Sequence, residues 1–158
     1  MKNLVIILIF TSFNLIGHHQ GGKSFPNQDR FKIFGIWKVS SFKPGSISGI
    51  SKEEAKKYLG RSVVLEKDSA VFLHDMCINK PQYRIRTANA EEYLYFNYKF
   101  PPIELGIDKK EIHILEIYCS DGQINLNEDD PFYELIIYKE KYLIDSWDGY
   151  FFFLERNS

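Results

Sequence analysis

The stretch FYELIIYKEKYLIDSWDGYFFFLER, residues 132–156, is the part of the sequence that decides the fold class. It contains three runs rich in aromatic and branched aliphatic residues, 132–138, 142–147 and 150–156, of the kind that favours strands. Only Asp148-Gly149 separates the last two runs, and this dipeptide is typical of the type I′ turn in a two-residue β-hairpin. We therefore predict a three-stranded antiparallel meander in this stretch.

Apolar runs of strand length, separated by turn residues, continue through most of the remaining chain. They lie at 31–42, 62–66, 70–74, 83–87, 92–100 and 111–119. Because helical segments do not alternate with these runs, a parallel α/β fold is excluded. The sequence predicts a mainly β fold: an antiparallel up-and-down barrel of about eight or nine strands, with one short helix after the first strand.

The predicted helix covers residues 52–59. Ser51 is a suitable N-cap, Glu54 completes a capping box, and Gly60 is placed to end the helix. A helix this short is not stable alone, so its apolar face is expected to dock on another part of the protein.

The first residues differ in character from the rest of the chain. Lys2 precedes the apolar run 4–10, which is the layout of a secretory signal. We predict a signal peptide at 1–17, a flexible leader at 18–30 and a barrel domain at 31–158. The apolar run is far shorter than the roughly 20 residues of a spanning helix, so no stable membrane anchor is expected. The protein is therefore predicted to be secreted or periplasmic, and its net charge of -1 gives no basic surface for nucleic acid.

The chain has two cysteines, Cys77 and Cys119. In an exported protein this even number predicts a disulfide, with two free buried thiols as the alternative. Closing a loop of this length contributes about 4 kcal/mol in the chain-entropy model. His74 and His113 precede the cysteines by three and six positions. Neither spacing is that of a tight zinc-ligand pair, so no metal site is predicted.

The segment NQDRFKIFGIW, residues 27–37, resembles the first lipocalin signature, N-x-D-x-x-[KR]-Φ-x-G-x-W. Lipocalin-like proteins of the calycin superfamily pair the tryptophan of this motif with an arginine at the end of the barrel, and Arg156 ends the last predicted strand. The resemblance implies that Trp37 packs under the Arg156 guanidinium as a cation–π lid on the closed end. Gly35 then leaves room where the first strand bends over that end.

The predicted strand 83–87 carries two arginines, Arg84 and Arg86, that alternate with Tyr83 and Ile85. We predict that the arginines face solvent and that Tyr83 and Ile85 face the core. Inward arginines, which could bind a ligand carboxylate, are the alternative.

The favoured function is a small binding protein that holds an apolar molecule inside the barrel, without a cofactor. The expected wall is the alternating apolar face of strand 92–100, formed by Leu94, Phe96 and Tyr98. Tyr58 and Leu59, on the apolar face of the predicted helix, are expected to cover the ligand as a lid.

Two other functions remain open. The first is a protein-binding or inhibitor module with a side-chain-filled barrel, which would use loops such as 101–110 and 120–131. The second is an enzyme with an unrecognised site. No catalytic residue is predicted, since the sequence lacks the serine-hydrolase, zinc-protease and phosphate-loop motifs. The acidic segment 121–130 does not match a calcium-binding loop.

Overall fold

The computed structural model describes residues 32–77, 80–119, 131–139 and 141–157. The predicted signal peptide, the predicted leader and the acidic segment 121–130 lie outside the described residues. Within the described ranges, no helix is long and apolar enough to cross a membrane.

The fold is mainly β, as predicted, and nine antiparallel strands form one sheet that curls into a half-barrel. The strands are β1 (Gly35–Pro44), β2 (Ser62–Leu65), β3 (Ala70–Val71), β4 (Met76–Cys77), β5 (Gln82–Asn89), β6 (Glu111–Tyr118), β7 (Tyr133–Tyr138), β8 (Tyr142–Trp147) and β9 (Tyr150–Arg156). The helices of the described residues are α1 (Lys52–Lys56), α2 (Ala90–Tyr98) and a 3-10 helix (Pro102–Leu105).

The strand order is β4-β3-β2-β1-β9-β8-β7-β6-β5. Apart from β4 and β5, strands that follow one another in sequence are neighbours in the sheet, and β1 pairs with β9. The connectivity is therefore that of an up-and-down barrel in which the described residues leave one gap, between β4 and β5.

The predicted meander is present as β7, β8 and β9, and Trp147 pairs with Tyr150 across the β8–β9 turn. Gly149 in this turn has a φ of +77°. A Cβ atom on Gly149 would lie 1.8 Å from the carbonyl oxygen of Ile47, so the close approach of the two backbones requires glycine.

A disulfide and one tyrosine join the two halves of the sheet across the gap. Cys77 on β4 is bonded to Cys119, which directly follows β6, and their Cα atoms are 5.7 Å apart. This confirms the predicted disulfide. Tyr83 on β5 donates its hydroxyl hydrogen to the carbonyl oxygen of Glu66 at 2.7 Å, with the Ser69 carbonyl oxygen 3.2 Å away. Both carbonyls belong to the β2–β3 turn.

The sheet has an apolar cluster on each face. The inner cluster fills the concave side and includes Trp37, Val63, Leu65, Leu115, Leu135, Leu143, Phe152 and Leu154. The outer cluster packs α2 and the 3-10 helix on the convex side and includes Leu94, Phe100, Leu105, Ile114, Ile136, Ile144 and Phe151. Neighbouring strand residues thus alternate between two buried layers.

Helix α1 confirms the predicted short helix after the first strand, together with its capping box. The Ser51 hydroxyl oxygen accepts a hydrogen bond from the Glu54 amide at 3.2 Å, and the Glu54 carboxylate accepts one from the Ser51 amide at 2.9 Å. Ala55 is fully buried and anchors the helix to the inner cluster.

The end of this helix differs from the prediction of 52–59. The α-helical residues end at Lys56, and a turn continues to Gly60. Tyr58 in this turn packs on the inner cluster, but Leu59 points outward and is 44% exposed. The prediction that both side chains share one docked face is therefore wrong for Leu59.

The strand predicted at 92–100 is also wrong, because Ala90–Tyr98 forms the helix α2. The Asn89 side chain caps it by accepting a hydrogen bond from the Glu92 amide at 3.1 Å. Lys99, with a φ of +52°, ends it in a left-handed turn.

The alternating wall predicted for this segment therefore does not exist. Leu94 is buried beneath α2 on the convex side of the sheet, and Phe96 is 68% exposed. Tyr98 is half-buried against Phe151, with ring centroids 5.3 Å apart, also on the convex side.

Candidate functional site

The inner face of β8 positions the candidate site. Alternate residues of a strand face the same side, and Leu143 belongs to the inner cluster. Asp145 and Trp147 therefore also face the barrel interior, and Asp145 pairs with Phe152 of β9. We call this site the mouth cluster, since α1 and the 72–75 turn cover the barrel here. Its members are Tyr58, Phe72, His74, Tyr133, Asp145 and Trp147.

Asp145 is the polar centre of the mouth cluster. Its side chain is 1% exposed, and its Oδ2 accepts a hydrogen bond from the Tyr133 hydroxyl at 2.8 Å. Its Oδ1 is sealed from solvent and has no hydrogen-bond partner among the described residues. Burial raises the pKa of Asp145 to about 7, against the lowering effect of hydrogen bonds from Tyr133 and the Ser146 backbone. The interior thus holds a buried carboxyl oxygen, and close packing of the core does not by itself require a polar atom there.

Two rings reach the interior from the turn at 72–75, between β3 and β4. Phe72 stacks on Tyr133 with ring centroids 4.0 Å apart and an interplanar angle of 14°. His74 stacks on Trp147 at 3.8 Å and 17°. The strand predicted at 70–74 is therefore shorter, because residues 72–75 leave the sheet to cover the interior.

The turn that follows α1 contributes Tyr58 to the same cover. The Tyr58 ring lies 4.7 Å from the His74 ring and 5.2 Å from the Phe152 ring, measured between centroids. Phe152 is the residue that pairs with Asp145 between β8 and β9, so Tyr58 packs on a direct neighbour of Asp145. The Arg61 guanidinium lies 4.8 Å from the Tyr58 ring centroid.

His74 carries the second unsatisfied polar atom of the cluster. Its Nδ1 lies 3.5 Å from the Tyr58 hydroxyl, while its Nε2 is sealed from solvent without a partner among the described residues. Burial lowers the pKa of His74; Asp148 opposes this effect and Arg61 adds to it. The imidazole is therefore neutral near pH 7, and the mouth cluster offers hydrogen-bonding atoms inside aromatic walls.

One of the five predicted ligand-binding residues, Tyr58, belongs to the mouth cluster. Leu59, Leu94, Phe96 and Tyr98 lie elsewhere. Asp145 was not among the predicted site residues, although the sequence contains a signal for it: a charged residue occupies an inward position of the predicted strand 142–147.

The arginines of β5 lie on the outer face, whereas Tyr83 is in the inner cluster, as predicted. Arg86 is not simply solvated, since its side chain is 32% exposed. Its guanidinium donates to the buried carboxylate of Glu116, and its Nη2 donates to Glu134 at 3.0 Å. Arg84 extends the network, with its Nε 3.6 Å from Glu116.

Two tyrosines complete this outer network. Tyr93 of α2 donates its hydroxyl hydrogen to Glu134 at 2.7 Å, and Tyr118 donates to Glu116 at 3.0 Å. The Arg86 guanidinium also lies 5.2 Å from the Tyr93 ring centroid. Both carboxylates are thus occupied by protein donors, and the network fastens α2 to the sheet.

The predicted contact between Trp37 and Arg156 is formed at the opposite end of β9 from the mouth cluster. The two residues are paired in the β1–β9 register, and the guanidinium carbon lies 5.1 Å from the Trp37 ring centroid. Trp37 is 2% exposed, and its Nε1 donates to the Ile33 carbonyl at 2.9 Å. Gly35 has a φ of +138°, and a Cβ atom there would lie 3.6 Å from the guanidinium.

An open cleft of about 410 Å³ lies beside this end. It is lined by Lys32, Lys141, Tyr142, Glu155 and Arg156. These side chains belong to the surface, and the cleft is separate from the mouth cluster.

Among the described residues, no group of three or more histidine, cysteine, aspartate or glutamate side chains is arranged to hold a metal ion. Comparison of the chain with protein-family models, with curated proteins and with solved structures finds no match.

Proposed function

We propose that this protein is an exported, lipocalin-like small-molecule-binding protein. Its ligand is small and largely apolar, and it occupies the barrel interior at the mouth cluster. The observation that carries the proposal is Asp145, a carboxyl group buried in an aromatic interior with one oxygen unpartnered. Such burial costs free energy that an apolar side chain of similar size would not, so a role in recognition accounts for it.

The cover over the mouth cluster is suited to opening. Phe72 and His74 lie in a turn between two strands of only two residues each, and Tyr58 follows a helix of five residues. These three rings contact the sheet by ring-to-ring packing rather than by strand pairing. A ligand can therefore displace them without breaking the hydrogen bonds between the longer strands β1 and β5–β9.

Export is part of the proposal. The Cys77–Cys119 disulfide is of the kind that persists in oxidising compartments, outside the cytosol. The Lys2 and 4–10 pattern supports the same location. Mass measurement of the protein from its native host should show that the first ~15–25 residues have been removed.

Binding is tested with N-phenyl-1-naphthylamine, a neutral apolar probe whose fluorescence rises in apolar surroundings. We expect saturable binding to the wild-type protein and weaker binding to Tyr58→Asp, because a carboxylate would enter the aromatic cover. Phe96→Asp is the matched control, since Phe96 is exposed on the far face of α2 and its substitution should leave probe binding unchanged. Thermal melts verify that both variants are folded.

Absence of probe binding to the folded wild-type protein would contradict the proposal. Equal loss of binding in Tyr58→Asp and Phe96→Asp would place the probe outside the mouth cluster. Tyr58→Phe retains the ring and removes only the hydroxyl group, so it provides a milder variant if the aspartate prevents folding.

A protein-binding module is the second candidate, and exposed apolar side chains around the end of α2 favour it. Ile47, Phe96 and Ile103 are 83%, 68% and 70% exposed, respectively. The Lys99 ammonium lies 5.8 Å from the Phe96 ring centroid, and the Lys99 carbonyl accepts a hydrogen bond from the 45–49 loop. If Phe96→Asp abolishes a protein interaction while the probe still binds, this surface carries a separate function.

A further inference from the structure

The unpartnered oxygen of Asp145 indicates which functional group the ligand carries. We propose that the ligand is a small aromatic or aliphatic primary amine whose ammonium group binds Asp145 inside the mouth cluster, an inference that rests on the proposed function above. The apolar part of the amine then lies among the rings of the cover.

The charge of Asp145 favours a ligand with a positive group. The ion pairs of the described residues do not include Asp145, and its hydrogen-bond donors, the Tyr133 hydroxyl and the Ser146 backbone, are neutral. An ammonium group supplies both the positive charge and the hydrogen that Oδ1 lacks. A ligand carboxylate would instead meet a like charge in a site of low dielectric.

The aromatic surroundings of the carboxyl group also favour an ammonium group. Trp147 lies two residues along β8 on the same face, Phe152 is directly opposite, and Tyr133 contacts Oδ2. Aromatic faces attract cations, and desolvation strengthens this attraction. The walls therefore favour an ammonium group and its apolar substituent together.

Three other titratable side chains belong to the mouth cluster. His74 comes from the 72–75 turn, Tyr58 from the turn after α1 and Tyr133 from β7. Burial lowers the pKa of His74 and raises that of Tyr133, so both side chains are neutral near pH 7. A bound amine thus meets no competing cation from these side chains, and the charged groups that act on His74, Asp148 and Arg61, have opposite charges. The His74 Nε2 offers a further hydrogen-bonding atom.

Three compounds of similar size test the inference by displacing N-phenyl-1-naphthylamine from the wild-type protein. They are phenethylamine, 2-phenylethanol and 3-phenylpropionate, which differ in carrying a positive charge, no charge and a negative charge. We expect phenethylamine to compete at a concentration about 10- to 100-fold lower than 3-phenylpropionate, the range for a hydrogen bond to a charged group. Asp145→Asn should abolish this preference while the neutral probe still binds, and the exposed Asp108→Asn should retain it.

Each outcome distinguishes the inference from the proposed function. Equal competition by the three compounds, or an amine preference that survives in Asp145→Asn, overturns the inference and leaves the barrel site intact. Absence of probe binding to the wild-type protein overturns both. If Asp145→Asn does not fold, the wild-type protein provides the test, because the amine preference should shrink from about pH 8 to about pH 5 as Asp145 gains a proton.

Discussion

The Asp145→Asn substitution should make the free protein more stable at neutral and alkaline pH. Folding raises the pKa of this carboxyl group from an ordinary value of 3.8 to about 7. Each pKa unit corresponds to about 1.4 kcal/mol, so ionised Asp145 lowers the free energy of unfolding by about 4 kcal/mol. Asparagine has a similar shape and can still accept the Tyr133 hydrogen bond, but it does not ionise.

The effect of Asp145 on the free energy of unfolding depends on pH. Below about pH 4 the group is protonated in both the folded and the unfolded states, so it makes no difference to stability. Between about pH 4 and about pH 7 the folded state retains a proton that the unfolded state has released, and the free energy of unfolding falls as pH rises. Above about pH 7 the loss is complete and constant.

Urea unfolding of the oxidised wild-type protein and of Asp145→Asn, at a series of pH values, measures this difference. The two free energies should coincide near pH 4 and diverge toward pH 8, with the asparagine variant more stable. Asp108→Asn, at an exposed position, should follow the wild type throughout. A wild-type protein that is the more stable of the pair at pH 8 would refute the reasoning, since the carboxylate would then have a stabilising partner.

Four further substitutions test the fold. Cys77→Ser should lower the free energy of unfolding by about 2–5 kcal/mol, measured by urea titration against the oxidised wild type; no change would mean that the bridge does not hold the two halves of the sheet together. Trp37→Ala should lower the free energy of unfolding by about 3–5 kcal/mol, because it creates a cavity in the core. Arg156→Ala should lower the free energy of unfolding by less, but it should change the fluorescence emission of Trp37. An unaltered spectrum would show that the guanidinium and the indole ring are not in contact. Gly149→Ala should lower the melting temperature because its Cβ would collide with the neighbouring backbone, and a melt identical to the wild type would contradict that close approach.

Features fixed by neighbouring residues could be predicted from the sequence. The Asp148-Gly149 turn determines the β8–β9 hairpin, and the Ser51–Glu54 capping box starts α1. Both depend on backbone preferences and hydrogen bonds within four residues, so no knowledge of the remaining structure is needed.

Helix α2 shows where this reasoning fails. The alternation of Leu94, Phe96 and Tyr98 with other large residues imitates a strand, and aromatic residues favour strands. The spacing of Ala90, Tyr93 and Leu94 instead fits a helix, and these three side chains are the ones buried against the sheet. The choice between the two patterns depends on the outer apolar face, which only the folded sheet provides.

The candidate site was out of reach for a similar reason. Strand alternation is sufficient to place Asp145 inside the barrel. Its surroundings, however, come from a turn more than 70 positions earlier and from α1, and such contacts depend on how the sheet curls. The sequence pattern at 70–74 gives no indication that Phe72 and His74 leave the sheet and cover the interior.

The pairing of β1 with β9 has a consequence for the order of folding. β1 needs β9 beside it, yet 105 residues lie between Pro44 and its partner Tyr150. During synthesis β2 can form early beside β1, but the other edge of β1 stays open until the final strand has left the ribosome. The pairing of β1 with β9 is therefore a late step in forming the sheet, and this long-range contact is expected to set the folding rate.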